Sequence, residues 1–217
     1  MAGIFMTLEG PDGSGKTTQI ARLRQRLENE GFVVVQTREP GGTPIADRIR
    51  ALILDPAHRE MTARAEALLY MAARAQHTAE LIRPALARGA VVISDRYADS
   101  TLVYQGVARG LPQAELVELN RFATEGLTPD LTLLLDGDPE RLAQRLTDRG
   151  NRDRLDSEGL EFHRRVREGF LRLAAQHPDR FRVIDGDRPQ ECVQISIETC
   201  VLDFLQKRGC THGVARQ

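Results

Sequence analysis

Short apolar runs alternate along the chain with longer stretches in which apolar residues recur at helical spacing. The runs of strand length are residues 4–8, 32–37, 90–94, 131–136 and 181–185. The middle runs, such as Val91-Val92-Ile93, are continuously apolar, which is typical of strands buried on both faces. Because helical segments separate the strands, the pattern predicts a three-layer α/β fold with a central parallel sheet flanked by helices.

Amphipathic helices are predicted between and after these strands. Ile20, Leu23 and Leu27 share one helical face directly after the first strand. Residues 62–88 predict a long alanine-rich helix that bends near Pro84. The remaining helices are expected after Asp138-Pro139, around Val166, Phe170 and Leu173, and over residues 192–205.

The composition is that of an ordinary soluble domain. The chain has 217 residues, 41% of them hydrophobic and 28% charged, which suits one domain with a full core. We expect this domain at residues 1–206, followed by a flexible tail at 207–217. A net charge of −1 argues against a protein that coats nucleic acid or a membrane surface. The sequence shows no signal peptide, membrane-spanning run or paired-cysteine motif, so we expect a cytoplasmic protein.

The strongest motif is Gly10-Pro11-Asp12-Gly13-Ser14-Gly15-Lys16-Thr17, which satisfies the phosphate-binding pattern G-x-x-x-x-G-K-[ST]. It lies between a predicted strand and a predicted helix, where loop amides and the helix N-terminus can surround an anion. Lys16 would reach the β- and γ-phosphates of ATP, and the Thr17 hydroxyl would bind Mg²⁺. Of 30 basic residues only Lys16 and Lys207 are lysine, so a lysine at this position is a specific choice.

Other motifs in the sequence and the length of the chain indicate which class of nucleotide-binding protein carries this loop. GTPases that read guanine carry an N-K-x-D segment, which this sequence lacks, and motor ATPases are much longer chains. A short and nearly neutral domain therefore favours a small-molecule kinase. Asp136 ends an apolar strand and is a candidate metal ligand, although an ordinary buried strand explains the same pattern. Two alternatives stay open: a kinase for another nucleotide or a deoxynucleoside, and an ATP-dependent binding protein without catalysis.

Arginines stand where a second phosphate could be held. Arg38 follows the second predicted strand and Arg96 follows the third, at the edge where parallel sheets bind ligands. A polar segment at about residues 148–157 has the composition of a mobile lid and contains Arg149, Arg152 and Arg154. When a phosphoryl group is transferred to another phosphate, the two anionic groups repel each other. The enzyme must neutralise this repulsion with cations, and it needs no strong general base. The arginines therefore favour an acceptor that already carries a phosphate.

Together these motifs resemble those of the thymidylate kinases. The matching segments follow in that family's order over about residues 3–206: Glu9 to Thr18, Arg38-Glu39-Pro40-Gly41-Gly42-Thr43, Ala73-Arg74-Ala75-Gln76, Asp95-Arg96-Tyr97 with Ser100, Tyr104 and Gln105, Pro129-Asp130-Leu131, Asp138-Pro139-Glu140, and Asp153-Arg154. No arginine lies between Gly10 and Lys16, so the chain is similar to the bacterial members whose catalytic arginine is in the lid. The resemblance implies a P-loop kinase that phosphorylates dTMP with ATP and Mg²⁺. It also implies a homodimer, formed through helices around residues 45–54, 66–82 and 102–122.

The resemblance further implies a role for each matching residue. ATP and Mg²⁺ would be held by Gly10, Pro11, Asp12, Gly13, Ser14, Gly15, Lys16, Thr17, Thr18 and Asp95. The substrate dTMP would be held by Glu9 and Ser100, by Arg38 and Arg96 at its phosphate, by Asp12 and Tyr104 at its sugar, and by Tyr70, Arg74, Thr101 and Gln105 at its base. Lys16, Arg96 and one of Arg149, Arg152 and Arg154 would be catalytic. Tyr70 replaces the phenylalanine usual in the family. His77 and His163 are interpreted as surface residues without a ligand.

Overall fold

The computed structural model describes residues 3–149, 154–155 and 158–210. Within that part the strands are β1 Ile4–Glu9, β2 Val34–Arg38, β3 Val91–Asp95, β4 Leu131–Asp136 and β5 Phe181–Asp185. These strands form one parallel sheet in the order β2-β3-β1-β4-β5. Helices cover both faces of this sheet, so the predicted three-layer α/β fold is confirmed.

The helices of the described residues are, in chain order, α1 Lys16–Asn29, α2 Pro44–Leu54, α3 Ala63–His77, α4 Arg83–Ala87, α5 Ala98–Thr101, α6 Gln113–Thr124, α7 Pro139–Arg149, α8 Leu160–Gln176 and α9 Gln190–Lys207. A π-helical segment, Thr78–Ile82, joins α3 to α4, and another, Leu102–Ala108, follows α5. Such wide turns are rare and occur frequently at functional sites. The second one carries Tyr104 and Gln105, both predicted at the substrate site.

The central strand β1 is buried on both faces of the sheet. Met6 and Leu8 point to one face, where α1 and α9 complete a core, whereas Phe5 points to the other face. On that second face the Phe5 ring meets the edge of Tyr97, with ring centroids 4.8 Å apart. Alternate residues of a strand face opposite sides of the sheet, so burial on both sides favours apolar residues at most positions. The buried exceptions in β1 are Thr7, whose hydroxyl hydrogen-bonds with that of Thr132 at 3.0 Å, and Glu9 at the end of the strand.

Several predicted boundaries differ from the structure by one or two residues, and the start of β2 and the division of the long helix have local reasons. Strand β2 begins at Val34 rather than at residue 32, because Phe32 donates its backbone N–H to Leu27 and so closes the end of α1. The long helix predicted at residues 62–88 is divided into α3, the π-helical segment and α4. Pro84 lies in the first turn of α4, where its missing backbone donor is tolerated, and the backbone stays helical from α3 through the π-helical segment into α4.

The predicted tail and lid are only partly visible. Helix α9 ends at Lys207, after which Arg208 pairs with Asp130 at 2.9 Å and Cys210 packs against the core. The first residues of the predicted flexible tail thus contact the domain, and residues 211–217 lie outside the described residues. Of the predicted lid, residues 150–153 and 156–157 also lie outside them, including Arg152. None of the helices in the described part of the chain is long and apolar enough to cross a membrane.

Candidate active site

The carboxyl ends of β1, β2 and β3 bring distant motifs to one edge of the sheet. Leu8 of β1 is in register with Asp95 of β3, and Asp95 is in register with Arg38 of β2. The backbone N–H of Arg96 donates to the Leu8 carbonyl at 3.0 Å. The phosphate-binding loop, which follows β1, therefore lies directly beside Asp95 and Arg96.

Two glycines allow the backbone conformation of this loop. A Cβ atom at Gly10 would lie 2.4 Å from the Leu135 carbonyl oxygen, so no other residue fits there without a shift of the backbone. Gly15 precedes α1 with φ of 89°, a left-handed conformation that favours glycine. Helix α1 then begins at Lys16, and its first N–H groups have no partner within the helix. The backbone donors of the loop and of the helix N-terminus can together surround an anion.

Lys16 is buried within this loop, with 6% of its surface exposed. Its ammonium donates to the carbonyl oxygens of Gly10 at 3.0 Å and Pro11 at 2.9 Å. Burial, together with the nearby Arg96 cation, lowers the pKa of Lys16 to about 8, although neighbouring carboxylates oppose the shift. A cation in such surroundings gains a strong partner when a phosphate binds.

Arg96 is the second cation of the site, and its side chain is 13% exposed. Its guanidinium contacts Asp12 Oδ1 at 2.6 Å, the Tyr104 hydroxyl at 3.0 Å and Ser100 Oγ at 3.0 Å. The Tyr104 hydroxyl in turn donates to Asp12 Oδ2 at 2.7 Å. Burial alone would raise the pKa of Asp12, but Arg96 and then Lys16 hold it well below its usual range. Asp12 is therefore an anion shared by the two cations.

Glu9 supports the backbone beneath Arg96. Its carboxylate is fully buried and accepts the Tyr97 N–H at 2.8 Å and the Ser100 hydroxyl at 2.6 Å. Burial, with a contribution from Asp99, raises the pKa of Glu9 to about 8. The predicted substrate residue Glu9 thus lies behind the site, where it positions Ser100.

The predicted metal residues Thr17 and Asp95 are in contact. The Thr17 hydroxyl donates to Asp95 Oδ2 at 2.9 Å, beside the phosphate-binding loop. Asp136, the other candidate, instead accepts two bonds from Arg167, at 2.7 and 2.8 Å. Within the described residues no group of three or more His, Cys, Asp and Glu side chains could enclose a metal. A hydroxyl and one carboxylate fit Mg²⁺ that is bound mainly through phosphate oxygens and water.

A cavity opens next to Arg96. It is lined by Asp12, Glu39, Pro40, Arg50, Leu54, Tyr70, Arg96, Ser100, Thr101, Tyr104, Gln105 and Leu155. Most of the residues predicted to hold the acceptor are in this lining. Arg50, on α2, was not predicted; it donates to the Pro40 carbonyl at 2.9 Å. Nothing near Arg50 in the sequence separates it from the many other arginines.

Arg74 lies behind the cavity wall and is 1% exposed. Its guanidinium donates to Glu39 at 2.7 Å, to Thr101 at 2.9 Å and to Asn120 at 2.8 Å. Glu39 and Thr101 both line the cavity. Arg74 therefore holds two wall residues in place.

The interpretation of His77 and His163 as surface residues is wrong. His77 is completely buried, with Nε2 at 2.6 Å from Thr37 Oγ1 and Nδ1 at 3.0 Å from Glu39 Oε1. His163 is also buried, at 7% exposure. The partners of His77 lie far away in the sequence, so local pattern gave no sign of its burial.

The remaining predicted arginines are placed differently from Arg96. Arg38 is about half exposed, pairs with Asp47 at 3.0 Å and is not among the described residues that line the cavity. Arg154 donates to the Ile53 carbonyl at 2.9 Å and pairs closely with Glu66. Arg149 ends α7, but its side chain, like all of Arg152, lies outside the described part of the structure.

Comparison with known proteins identifies relatives along nearly the whole chain. Residues 8–197 match the family model described as Thymidylate kinase. A thymidylate kinase of Deinococcus radiodurans is 53% identical over 92% of this chain and 96% of its own length. One from Exiguobacterium sp. is 47% identical over 96% of this chain and 99% of its own. The crystal structure of thymidylate kinase from Ehrlichia chaffeensis superposes with a TM-score of 0.74 at 31% identity, covering 93% of this chain and 99% of that one.

The ammonium of Lys16 should titrate far below an ordinary lysine. In the Lys207→Arg variant Lys16 is the single lysine, so its side-chain NMR signal needs no further assignment. Because burial and Arg96 disfavour the charged form, we expect a titration midpoint at about 8. A midpoint at the ordinary value of 10.5 would show that Lys16 is not held in this electrostatic environment.

Proposed function

The chain belongs to the thymidylate kinase family, and from that premise we propose that it phosphorylates dTMP to dTDP with ATP and Mg²⁺. The observation that carries the proposal is the proximity of Lys16 and Arg96, which both lower the pKa of Asp12. Lys16 belongs to the phosphate-binding loop, whereas Arg96 lines the neighbouring cavity. Two anion-binding groups so close together suit a reaction in which two phosphates meet.

ATP is held on the loop side in this proposal. The amides of residues 10–16 and the N-terminus of α1, with Lys16 and Thr18, surround the β- and γ-phosphates. Mg²⁺, bound through Thr17 and Asp95, neutralises part of the charge that these phosphates bring. Lys16, released from its contacts with Gly10 and Pro11, replaces two carbonyl dipoles with an anionic oxygen.

The acceptor dTMP occupies the cavity. Arg96 binds its phosphate, with Arg50 and Arg38 as further cations at that end. Asp12 binds the sugar hydroxyl, and the buried ring of Tyr104 leaves little room beside the sugar, which favours a deoxynucleotide. The Tyr70 ring and the polar groups of Thr101 and Gln105 face the base, while Arg74, behind the cavity wall, acts on the base through Thr101.

Chemistry at this site depends on position and charge. A phosphate acceptor is already ionised near neutral pH, so its oxygen needs no strong general base. The side chains of Lys16 and Arg96 reduce repulsion between the two phosphates and hold them in line. A lid arginine adds charge at the transferred group. Arg154 is held by Glu66 and Ile53 in the structure described, and Arg149 and Arg152 remain candidates with it.

A homodimer and a cytoplasmic location belong to the same proposal. Exposed apolar side chains are concentrated on three helices that pack against one another: Ile45 and Leu52 on α2, Leu68 on α3, and Val117 and Phe122 on α6. Phe122 is 82% exposed. A second copy of the chain would cover this surface, as the family resemblance implies. The three cysteines are free, which suits a reducing compartment.

The central test is turnover by the purified protein with dTMP, dUMP, dCMP, dGMP and thymidine as acceptors. We expect dTMP to be preferred, and Lys16→Ala to lower turnover at least about 100-fold because a charged contact to the transferred group is lost. The control Lys207→Ala removes the other lysine, at the end of α9, and should leave turnover unchanged. Preference for another acceptor would favour the alternative kinase. If the protein transferred phosphate to none of these acceptors, the result would favour an ATP-dependent binding protein.

The dimer can be tested separately. Phe122→Glu should shift the protein from twice the mass of one chain to a single mass, measured by light scattering during gel filtration, because a charge cannot be buried there without a partner. Ile195→Glu places the same charge at an exposed position on α9, 65% exposed, and should leave the dimer intact. If Phe122→Glu stays dimeric, the interface lies elsewhere.

A further inference from the structure

Glu66 is a buried carboxylate next to the acceptor cavity that the reaction itself does not use. It lies in the first turn of α3, is 1% exposed and is not among the described residues that line the cavity. A carboxylate so buried must be held by donors or cations. Those around it are Gln105, Arg109 and Arg154.

The two oxygens of Glu66 have different partners. Oε2 accepts from Arg154 Nη2 in a close contact and from Arg109 Nη2 at 3.4 Å. Oε1 accepts the side-chain amide of Gln105 at 2.8 Å, with Arg109 Nε more distant at 3.4 Å. Arg109 is therefore equally distant from both oxygens, whereas the close contact of Arg154 is with Oε2 and that of Gln105 is with Oε1.

This arrangement decides which way the Gln105 amide points. A side-chain amide has one accepting and one donating end, and a carboxylate between arginines can only accept. Gln105 must therefore direct its NH₂ group to Glu66, which leaves its carbonyl oxygen for whatever binds in the cavity. A carbonyl oxygen accepts the N3–H of thymine, but it faces a lone pair at N3 of cytosine.

We propose that Glu66 is a specificity-determining positioning residue that makes Gln105 select bases with a proton at N3. The inference rests on the proposed function, since it concerns the base of the acceptor nucleotide. Arg109 and Arg154 contribute by fixing the carboxylate. Because Arg154 also donates to the Ile53 carbonyl, the same contacts connect base selection to the end of α2.

Glu66→Gln makes a specific prediction through this geometry. Arg154 has donors only and its close contact is with Oε2, so the carbonyl oxygen of the new amide should stay on that side. Its NH₂ group would then face Gln105, which must turn its own carbonyl toward it and present its NH₂ group to the base. The variant should therefore lose preference for an N3–H base and gain tolerance for cytosine.

The experiment measures kcat/KM for dTMP and dCMP with the wild-type protein and Glu66→Gln. We expect the dTMP-to-dCMP ratio to fall at least about tenfold, the scale on which unpaired polar groups discriminate between substrates. Glu80→Gln makes the same chemical change at an exposed carboxylate and should keep the wild-type ratio. An unchanged ratio in folded Glu66→Gln would overturn the inference, whereas failure of the wild-type protein to use dTMP would overturn the proposed function instead.

A double-mutant cycle separates positioning from general damage. Gln105→Met removes the amide, so adding Glu66→Gln to it should not change the ratio further if Glu66 acts through Gln105. A further fall in the ratio would contradict that route. If Glu66→Gln fails to fold, the orientation of the Gln105 amide can be tested in the wild-type protein by NMR of its side-chain NH₂ group. We expect its protons to stay protected when dTMP binds, and loss of that protection would overturn the inference.

Discussion

The arrangement of the site depends on Asp12, a carboxylate that two nearby cations, Arg96 and Lys16, both stabilise in its charged form. Arg96 contacts it at 2.6 Å, and Lys16 lies close enough to lower its pKa further. The two cations also disfavour each other, since Arg96 contributes to the lowered pKa of Lys16. Asp12 offsets that repulsion and so allows positive charge to be concentrated before any phosphate is bound. Charge that is placed in advance need not be reorganised during transfer.

The sheet edge supplies the rigidity that this concentration of charge requires. Arg96 has φ of 71°, a left-handed conformation that is costly for a residue with a side chain. The surrounding contacts impose it: the Arg96 N–H donates to Leu8, and its carbonyl accepts the Ser94 hydroxyl at 2.7 Å. The buried carboxylate of Glu9 holds the next residue by its N–H. The guanidinium is therefore directed toward Asp12 by the backbone as well as by its own hydrogen bonds.

Local patterns predicted the fold and the phosphate-binding loop, because both depend on residues that are close together in the sequence. The apolar strands, the glycines of the loop and Lys16 each carry their signal within a few positions. The residues that the sequence did not reveal depend on distant partners. Arg50 lies in an ordinary amphipathic helix. Glu66 lies in the first turn of a helix, where a glutamate is usually exposed to solvent, so its sequence position gave no sign of its burial. The burial of His77 depends on Thr37 and Glu39, which only the folded sheet brings to it.

The most direct test of the shared-charge arrangement is calorimetric titration of dTMP and thymidine into the wild-type protein and Arg96→Met. If Arg96 exists to receive the acceptor phosphate, dTMP should bind the wild-type protein much more tightly than thymidine. The substitution should reduce that advantage at least about tenfold and leave thymidine binding unchanged. Equal affinity of Arg96→Met and the wild-type protein for dTMP would contradict the account.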